Sequence, residues 1–593
     1  MNHLLPSGRL ALPFMLLFST LLTGCGAGGI RSSLPNQHTT MYLSQDTTVD
    51  FSVTGDTGND LYYGWQIIQY DSNNQPISTA YLAGESEQAR RHTFTASDLS
   101  NFRTEVAVTL YRRVIAGDWP IDLPLNSVTW EISKPVEKLG TQIPSSLFLR
   151  NKNDLPNLSG ISDVTGNVIL DDTTFRDVAP LNSLNHIGGN LVVNRSQIRT
   201  ANDLHLNAAL VLDGGLQLRN NRNLTSLTGL ESIPQLGELI IENNRVLKNL
   251  TGLGGLERID GNLLVKGNAK LADLSGASRL ANIDGSLTLD DNAALVSTKG
   301  VETLQNIQLD LNLLSNPALA SLEGFAGLTR IGGTLAIDVN TTSHNTPSRL
   351  TNLSGLDALT HTGSIRINTN PQLASLQGLN SLTTVTNYLY LANNPLLQNL
   401  QALDSLTSVR IVSLERNRQL RNLQGLEQVR NLDYLTINGG NNTTPPAEGL
   451  NSLTGIEAVG SIKHLQLFGN PLSDLSALDN VAITGSLTLN YNLITALPAI
   501  QVDALEGVSI FGERITSLEG LNNVTRLGYL QLHGNNQLAD LSGLNALNRV
   551  DEGFSIADNQ SLCQSAADAL LAQVQNAGGV GGVVNMYLNN GCN

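Results

Sequence analysis

From about residue 165 to residue 560, apolar residues return in a fixed phrase of about two dozen positions. One copy runs Leu224-x-x-Leu227-x-Gly229-Leu230-x-x-Ile233 and, after five residues, continues as Leu239-x-Ile241-x-x-Asn244. Aligning the apolar pair puts successive copies at Val168, Leu191, Leu216, Leu239, Leu263, Leu287, Leu309, Leu335, Ile365, Leu389, Val412, Leu435, Leu465, Leu487, Val508, Leu530 and Phe554. The intervals are 21 to 26 residues, except for two of 30. Alternation within the pair predicts a short strand whose leucines point inward and whose neighbours point outward. Repetition at this period predicts a solenoid, because no coil can bury its own apolar residues and each needs the next.

Two residue types punctuate the phrase. Glycine stands in the L-x-G-L step at 229, 252, 276, 300, 324, 355, 378, 425, 455, 520 and 543, as a tight corner with positive φ would favour. Ala402 and Ala477 occupy the same step, so a positive φ is not required at every corner. Asparagine follows the strand at 221, 244, 268, 292, 316, 370, 394, 417, 470, 535 and 559. A buried amide needs partners at both ends, and stacked asparagines can find them on the backbones of adjacent coils. These asparagines are expected to be structural.

Residues 41–135 read differently. They hold Trp65, Trp119 and Trp130, and β-rich runs alternate with turn signals at Thr48–Val53, Leu61–Tyr70, Ile77–Leu82, Arg91–Ala96, Glu105–Arg113 and Ser127–Ile132. The expectation is a small β-sandwich, loosely immunoglobulin-like, with Trp65 in its core. Asp56-Thr57-Gly58-Asn59-Asp60 has the composition of a calcium loop, but a hairpin turn explains the same residues and is preferred.

The termini speak to cellular address. Arg9 precedes an apolar run from Leu10 to Leu22, too short to span a bilayer. Leu22-Thr23-Gly24-Cys25 follows and resembles the lipobox of bacterial lipoproteins, which implies cleavage before Cys25 and acylation of its sulfur. Gly26 and Ala27, with no aspartate, resemble the outer-membrane sorting pattern. Removing Cys25 from three cysteines leaves Cys563 and Cys592, an even pair that an exported protein would join. The expected divisions are a lipoprotein signal peptide at 1–24, the acylated cysteine and a flexible tether at 25–40, the β-sandwich at 41–135, the solenoid at 136–560 and a C-terminal cap at 561–593. A formal charge of −16, with no Lys/Arg run, argues against nucleic acid as a partner.

The consensus L-x-x-L-x-G-L-x-x-L-x-x-I-x-G-x-L-x-I-x-x-N over about 400 residues resembles the leucine-rich-repeat family, in particular its receptor L-domain variety. The ending from Asn559 to Cys563, a helix-like Ser565–Gln575 and Asn590-Gly591-Cys592 resembles the capped terminus of bacterial members. The resemblance implies a mainly β fold, a right-handed leucine-rich-repeat β-solenoid of about 17 coils behind the sandwich. It also implies a binding protein for proteins, peptides or glycans rather than an enzyme.

No catalytic motif opposes that expectation. The nine histidines are never closer than 17 residues, and no HExxH, GxSxG, phosphate loop or Cys/His metal spacing occurs. Asp171/Asp172 and Asp290/Asp291 are paired carboxylates at strand ends, where solvated acids are common. Neither a cofactor nor a metal is called for. The outward strand positions say more. From residue 151 onward there are 11 aromatic residues, and six of them, Tyr388, Tyr390, Tyr434, Phe468, Phe511 and Tyr529, fall on outward sites of the later coils, joined by His464 and His533. The early coils present Ile169, Val192, Ile240 and Leu264 there, and Phe325 replaces a core leucine. Exposed aromatic patches are the usual chemistry of protein and sugar recognition, although aromatics can also pack along their own ladder. The two long repeats insert Val339–Arg349 and Asn438–Gly449 on the same edge, bracketing the first aromatics. The function expected is a lipid-anchored envelope protein, in the outer membrane, that binds a protein or glycan across the strand face, for instance in adhesion to a host or another cell. The alternative is a structural spacer without a specific ligand.

Overall fold

The computed structural model describes residues 31–32, 40–42, 49–54, 61–70, 76–84, 91–94, 103–116, 119–133, 139–149, 155, 158–171, 175–338, 348–440 and 448–590, with backbone alone before residue 139. Contacts divide the chain into two compact units, residues 1–139 with 143–146, and residues 140–142 with 147–593.

In the first unit a five-stranded sheet has the order Thr40–Tyr42, Trp119–Ser133, Arg103–Ala116, Leu61–Tyr70, Pro76–Gly84, antiparallel except for its parallel first pair. A three-stranded antiparallel sheet places Val49–Thr54 between Arg31–Ser32 and Arg91–Phe94. The six runs read from alternation are all strands, but the last two are longer than expected. They form one hairpin that closes with Ala116 opposite Trp119. Pro120 and Pro124 hid that extension. Thr40–Tyr42 pairs only with Glu131–Ser133, so the proline-bearing half has a neighbour on one side alone among the described residues, and a missing N–H costs no ladder bond there. What stands is two sheets; the sandwich would need them face to face. Trp65 lies on Leu61–Tyr70 opposite Leu82 and Val108, with its side chain outside the described residues. Cys25 and the Asp56–Asp60 loop also lie outside them, and of the expected tether only Arg31–Ser32 and Thr40 are described, as strand residues.

The second unit is a parallel β-solenoid of about 16 turns with repeats of about 24 residues and one helix, against the 17 coils expected. Each strand pairs in register with the next, as Leu216, Leu239, Leu263 and Leu287 do. Those residues are at most 2% exposed. The copy expected at Leu309 is two residues out: Leu309 is 52% exposed, and Leu311 pairs with Leu287 and Leu335. Leu309, Leu311 and Leu313 all satisfy period-two alternation, so alternation cannot choose among them. Asn316 can, because each ladder asparagine stands five residues beyond the first inward leucine.

Up to Leu314 a coil carries two strand segments, such as Arg258–Ile259 and Leu263–Lys266, separated by a glycine-bearing step. The first short segments make a small four-stranded parallel sheet of Gln142–Ile143, Asp163–Val164, His186–Ile187 and Val211–Leu212. From Arg330–Asp338 onward most coils run both segments together as one strand of eight or nine residues. The step survives there as register shifts, for instance between Ile331 and Thr334.

The corner glycines divide into two geometries. Eight, from Gly229 to Gly455, have φ between 110° and 119°. Gly324, Gly520 and Gly543 instead sit in 3-10 turns, the geometry that also accepts Ala402 and Ala477. At Gly543 the reason for glycine is close approach, since a Cβ would come within 1.9 Å of the Leu518 carbonyl oxygen.

The asparagine ladder is as expected. Asn244 donates its backbone N–H to Asn268 Oδ1 (2.9 Å) and its Nδ2 to the Leu218 carbonyl (2.8 Å), and its own Oδ1 accepts from the Asn221 N–H (3.0 Å). Asn492 and Asn589 belong to it as well. At one rung the residue is Glu513, 3% exposed, which accepts from Asn492 N–H and Nδ2 at 2.8 Å each and from the Ile494 N–H at 3.1 Å.

The cap helix, Gln564–Ala577, buries Ala567, Leu570 and Val574 at helical spacing on one face. Beyond it Val583–Tyr587 joins the ladder parallel to Gly553–Ala557, so part of the expected cap is a further strand. Among the described residues no helix is long and apolar enough to cross a membrane.

Candidate ligand-binding face

Each main strand presents three outward positions, and the parallel register stacks them into three rows that run across the coils. In the later coils the first row reads Tyr388, Ile411, Tyr434, His464, Ser486, Gly507, Tyr529. The middle row reads Tyr390, Ser413, Thr436, Gln466, Thr488, Ser509, Gln531, Ser555. The third reads Glu415, Asn438, Phe468, Asn490, Phe511, His533. The eight residues singled out from the sequence therefore share one face but not one patch. Tyr388, Tyr434, His464 and Tyr529 line one margin, Phe468, Phe511 and His533 line the other, and Tyr390 stands between.

Several of them pack on their own ladder. His464 is 6% exposed, because its ring stacks on Tyr434 at 4.3 Å between centroids and its Nδ1 lies 2.9 Å from Ser486 Oγ. It supports Tyr434, which remains 39% exposed. Phe511 stacks on His533 at 5.0 Å, and His533 Nε2 lies 2.7 Å from Ser555 Oγ. Burial pushes the His533 pKa down, which favours the neutral ring. The Tyr529 ring lies over Gly507, where an added Cβ would meet it at 2.3 Å. Tyr390 is half-buried and donates to Glu415 at 3.3 Å; burial, then the Glu415 charge, raises its pKa.

Sequence reading missed Tyr491. It is 40% exposed, and its ring covers Gly512, whose added Cβ would lie 2.5 Å from Tyr491 Cδ1. It escaped notice because it sits one residue past the alternating strand, in the left-handed corner held elsewhere by Asn220, Asn243 and Asp291. With φ at 52°, it is a bulky residue in a conformation that favours Gly and Asn. Phe468, Tyr491, Phe511 and His533 thus form an aromatic margin along the strand ends.

Charge separates this region from the early coils. The three outward positions within 434–438, 464–468, 486–490, 507–511, 529–533, 553–557 and 583–587 hold no Asp, Glu, Lys or Arg; beside them Lys463 pairs with Glu506 at 3.3 Å, and Glu506 also lies 3.8 Å from His464 Nε2. In the early coils the third row reads Asp171, Asn194, Arg219, Glu242, Lys266, Asp290. Its charges pair across strands, Arg219 with Glu242 at 2.5 Å and Lys266 with Asp290 at 2.9 Å. The apolar residues expected to be presented there are partly withdrawn: Ile169 is 3% and Ile240 9% exposed.

One member of each carboxylate pair is bonded to neighbouring coils. Asp171 accepts from Asn194 and Arg195, Asp290 pairs with Lys266, and Asp172 lies outside the described residues. Among the described residues no group of three or more His, Cys, Asp or Glu is placed to hold a metal ion. Of the two insertions, residues 339–347 and 441–447 lie outside the described residues. No family model matches this chain, and no curated protein does.

Proposed function

We propose that this chain is a lipid-anchored cell-envelope protein of the leucine-rich-repeat kind, whose later coils bind a macromolecular partner across the strand face. The observation that carries the reading is the run of seven strands whose three outward positions hold no charged residue, flanked by aromatics, in a chain of net charge −16. Charged residues would be expected at random on such a surface, and their exclusion together with Tyr and Phe enrichment is the composition of a recognition face. The anchor at Cys25 and outer-membrane placement rest on the lipobox-like Leu22–Cys25 alone. The two N-terminal sheets are read as the layers of a β-sandwich that spaces the solenoid from the anchor. A Cys563–Cys592 disulfide is supported by the bridge that pairs Cys563 with Asn590, two residues from Cys592, and would add roughly 3 kcal/mol at the end of the stack.

Cross-linking of the full chain on intact cells, followed by capture, tests this. Replacing Tyr390, Tyr434 and Phe468 together by Ser should abolish recovery of the partner and leave thermal unfolding of the solenoid in place. Recovery unchanged by the triple substitution would reject this face. The spacer reading fits the early coils, whose outward charges already satisfy one another. It predicts that deleting whole coils changes only spacing or packing and that cross-linking recovers no partner.

A further inference from the structure

The later coils differ from an ordinary protein-binding patch in how their chemistry is laid out. Protein interfaces place aromatic anchors at a dry centre and polar groups at the rim. Here the order is inverted. From Thr436 onward the central row, Thr436, Gln466, Thr488, Ser509, Gln531 and Ser555, is made only of hydroxyl and amide side chains, and Tyr390 heads the same row two strands earlier. The aromatics stand on its two margins, Tyr434 and Tyr529 on one side, Phe468, Tyr491 and Phe511 on the other.

The central row is also partly pre-arranged. Thr436 Oγ1 donates to Gln466 Oε1 at 3.3 Å and Ser509 Oγ to Gln531 Oε1 at 2.6 Å. Each bond holds a glutamine by its oxygen, and the amide N–H groups remain as donors. Successive rungs repeat at roughly 4.8 Å, so Thr436, Gln466, Thr488 and Gln531 form a linear array along the stacking direction, while Ser509 and Ser555 are only 6% and 8% exposed.

We propose that this trough is the binding site of a neutral polysaccharide chain, laid across the coils with its hydroxyls on the central row and its sugar C–H faces against the marginal aromatics. This rests on the reading of the strand face as the binding surface, and narrows its occupant. A pyranose chain has the two features the trough complements, a hydroxyl-rich edge and apolar ring faces. A polyanion finds no cation among the outward positions of seven consecutive strands, and the chain's charge of −16 repels it. A polycation finds no carboxylate on those positions either, and Glu506 beside them is already paired with Lys463 at 3.3 Å. A protein would have to bury the hydroxyl and amide row at the centre of its interface without an apolar anchor there.

Affinity electrophoresis of the full chain through gels containing dextran, mannan, xyloglucan, galactomannan or laminarin tests the proposal, with heparin and polygalacturonate as anionic probes. At least one neutral polymer should retard the chain, with retardation unchanged at roughly 0.5 M salt, where charge attraction is screened. Tyr491→Ala with Phe511→Ala should weaken that retardation by about tenfold or more, and Gln466→Leu with Gln531→Leu by a similar factor, with circular dichroism and melting unchanged. Lys266→Ala, in the early coils, should leave it as it was. Retardation by the anionic probes alone, by none of the probes, or retardation indifferent to both double substitutions overturns the proposal. Those failures are separable from failure of the face itself. If the Tyr390/Tyr434/Phe468 triple variant still loses a cross-linked protein partner, the face stands and the polysaccharide falls; if it loses nothing, both fall.

Discussion

The early and the late coils share an interior and differ in the outward rows of their strands. Leu263 and Leu487 occupy the same inward position, at 2% and 0% exposure, and Asn268 and Asn535 make the same ladder bonds. Outside, the early row pairs Arg219 with Glu242 and Lys266 with Asp290, while the late row has Phe468, Asn490, Phe511 and His533. In a stack whose coils contact only their neighbours, interior positions are set by stability and outward ones are left to function. Where outward charges satisfy one another the surface has no bond to offer. Where they are withheld for seven strands in an acidic protein, the surface is set up for a partner.

The interior should therefore be equally intolerant in both halves, and the largest effects are predicted there. Leu389→Asp puts a carboxylate at a position with no exposure and should cost several kcal/mol. Calorimetry should show the single unfolding transition splitting, since a stack of coils breaks where a neighbour contact is lost. Leu263→Asp should do the same in the early half. If one of the two were tolerated, the claim of a common interior would fail.

Much of that interior was legible in the sequence because repetition averages over local ambiguity: the Asn spacing and the Leu pair each recur many times. The places that were not legible are those where the rule was too permissive or applied to the wrong position. Leu309 failed because three alternating leucines satisfy the strand rule equally. The 3-10 corners at Gly324, Gly520 and Gly543 carry the same L-x-G-L step as the positive-φ corners, so no local signal separates them. The aromatic bias of the later coils was visible, but its division between two margins needed the register of the strands. Tyr491 lay outside the alternation, and the burial of His464 depends on a ring contributed by another coil.

The asparagine ladder offers a sharper comparison. Asn244→Ala removes the acceptor of the Asn221 N–H and the donor to the Leu218 carbonyl, leaving two buried groups unpaired, at a cost of roughly 3 kcal/mol. Glu513 is the rung where the late half departs from the rule, and there the substitution should stabilise. Burial, outweighing the three bonds from Asn492 and Ile494, raises its pKa to about 6 from 4.5. A carboxyl whose folded pKa is raised binds its proton more tightly in the folded state. Its contribution is therefore fully present below pH 4.5 and lost as the pH climbs through about 6. Glu513→Asn restores the rung and removes this dependence. The variant's advantage should grow by about 2 kcal/mol between pH 4 and pH 7. Denaturant unfolding at the two pH values measures it, and an advantage that shrinks with rising pH would contradict the assignment.

The smallest effect is predicted where the early coils look most elaborate. Lys266 pairs with Asp290, and this hydrogen bond and charge raise the lysine pKa, yet Lys266 is 45% and Asp290 20% exposed. Water and salt screen such a pair, so Lys266→Ala should cost less than about 1 kcal/mol, and less still at high ionic strength. Tyr491→Ala should be equally mild in stability, because the ring rests on Gly512 at the surface and its left-handed backbone is strained for any residue with a Cβ. The two substitutions then differ only in binding: the lysine is silent and the tyrosine is not. Matched denaturation curves with divergent retardation in polysaccharide gels would show that the outward rows of the two halves answer to different constraints. Equal retardation of both variants would return the late coils to the same status as the early ones, a surface kept for solubility and spacing.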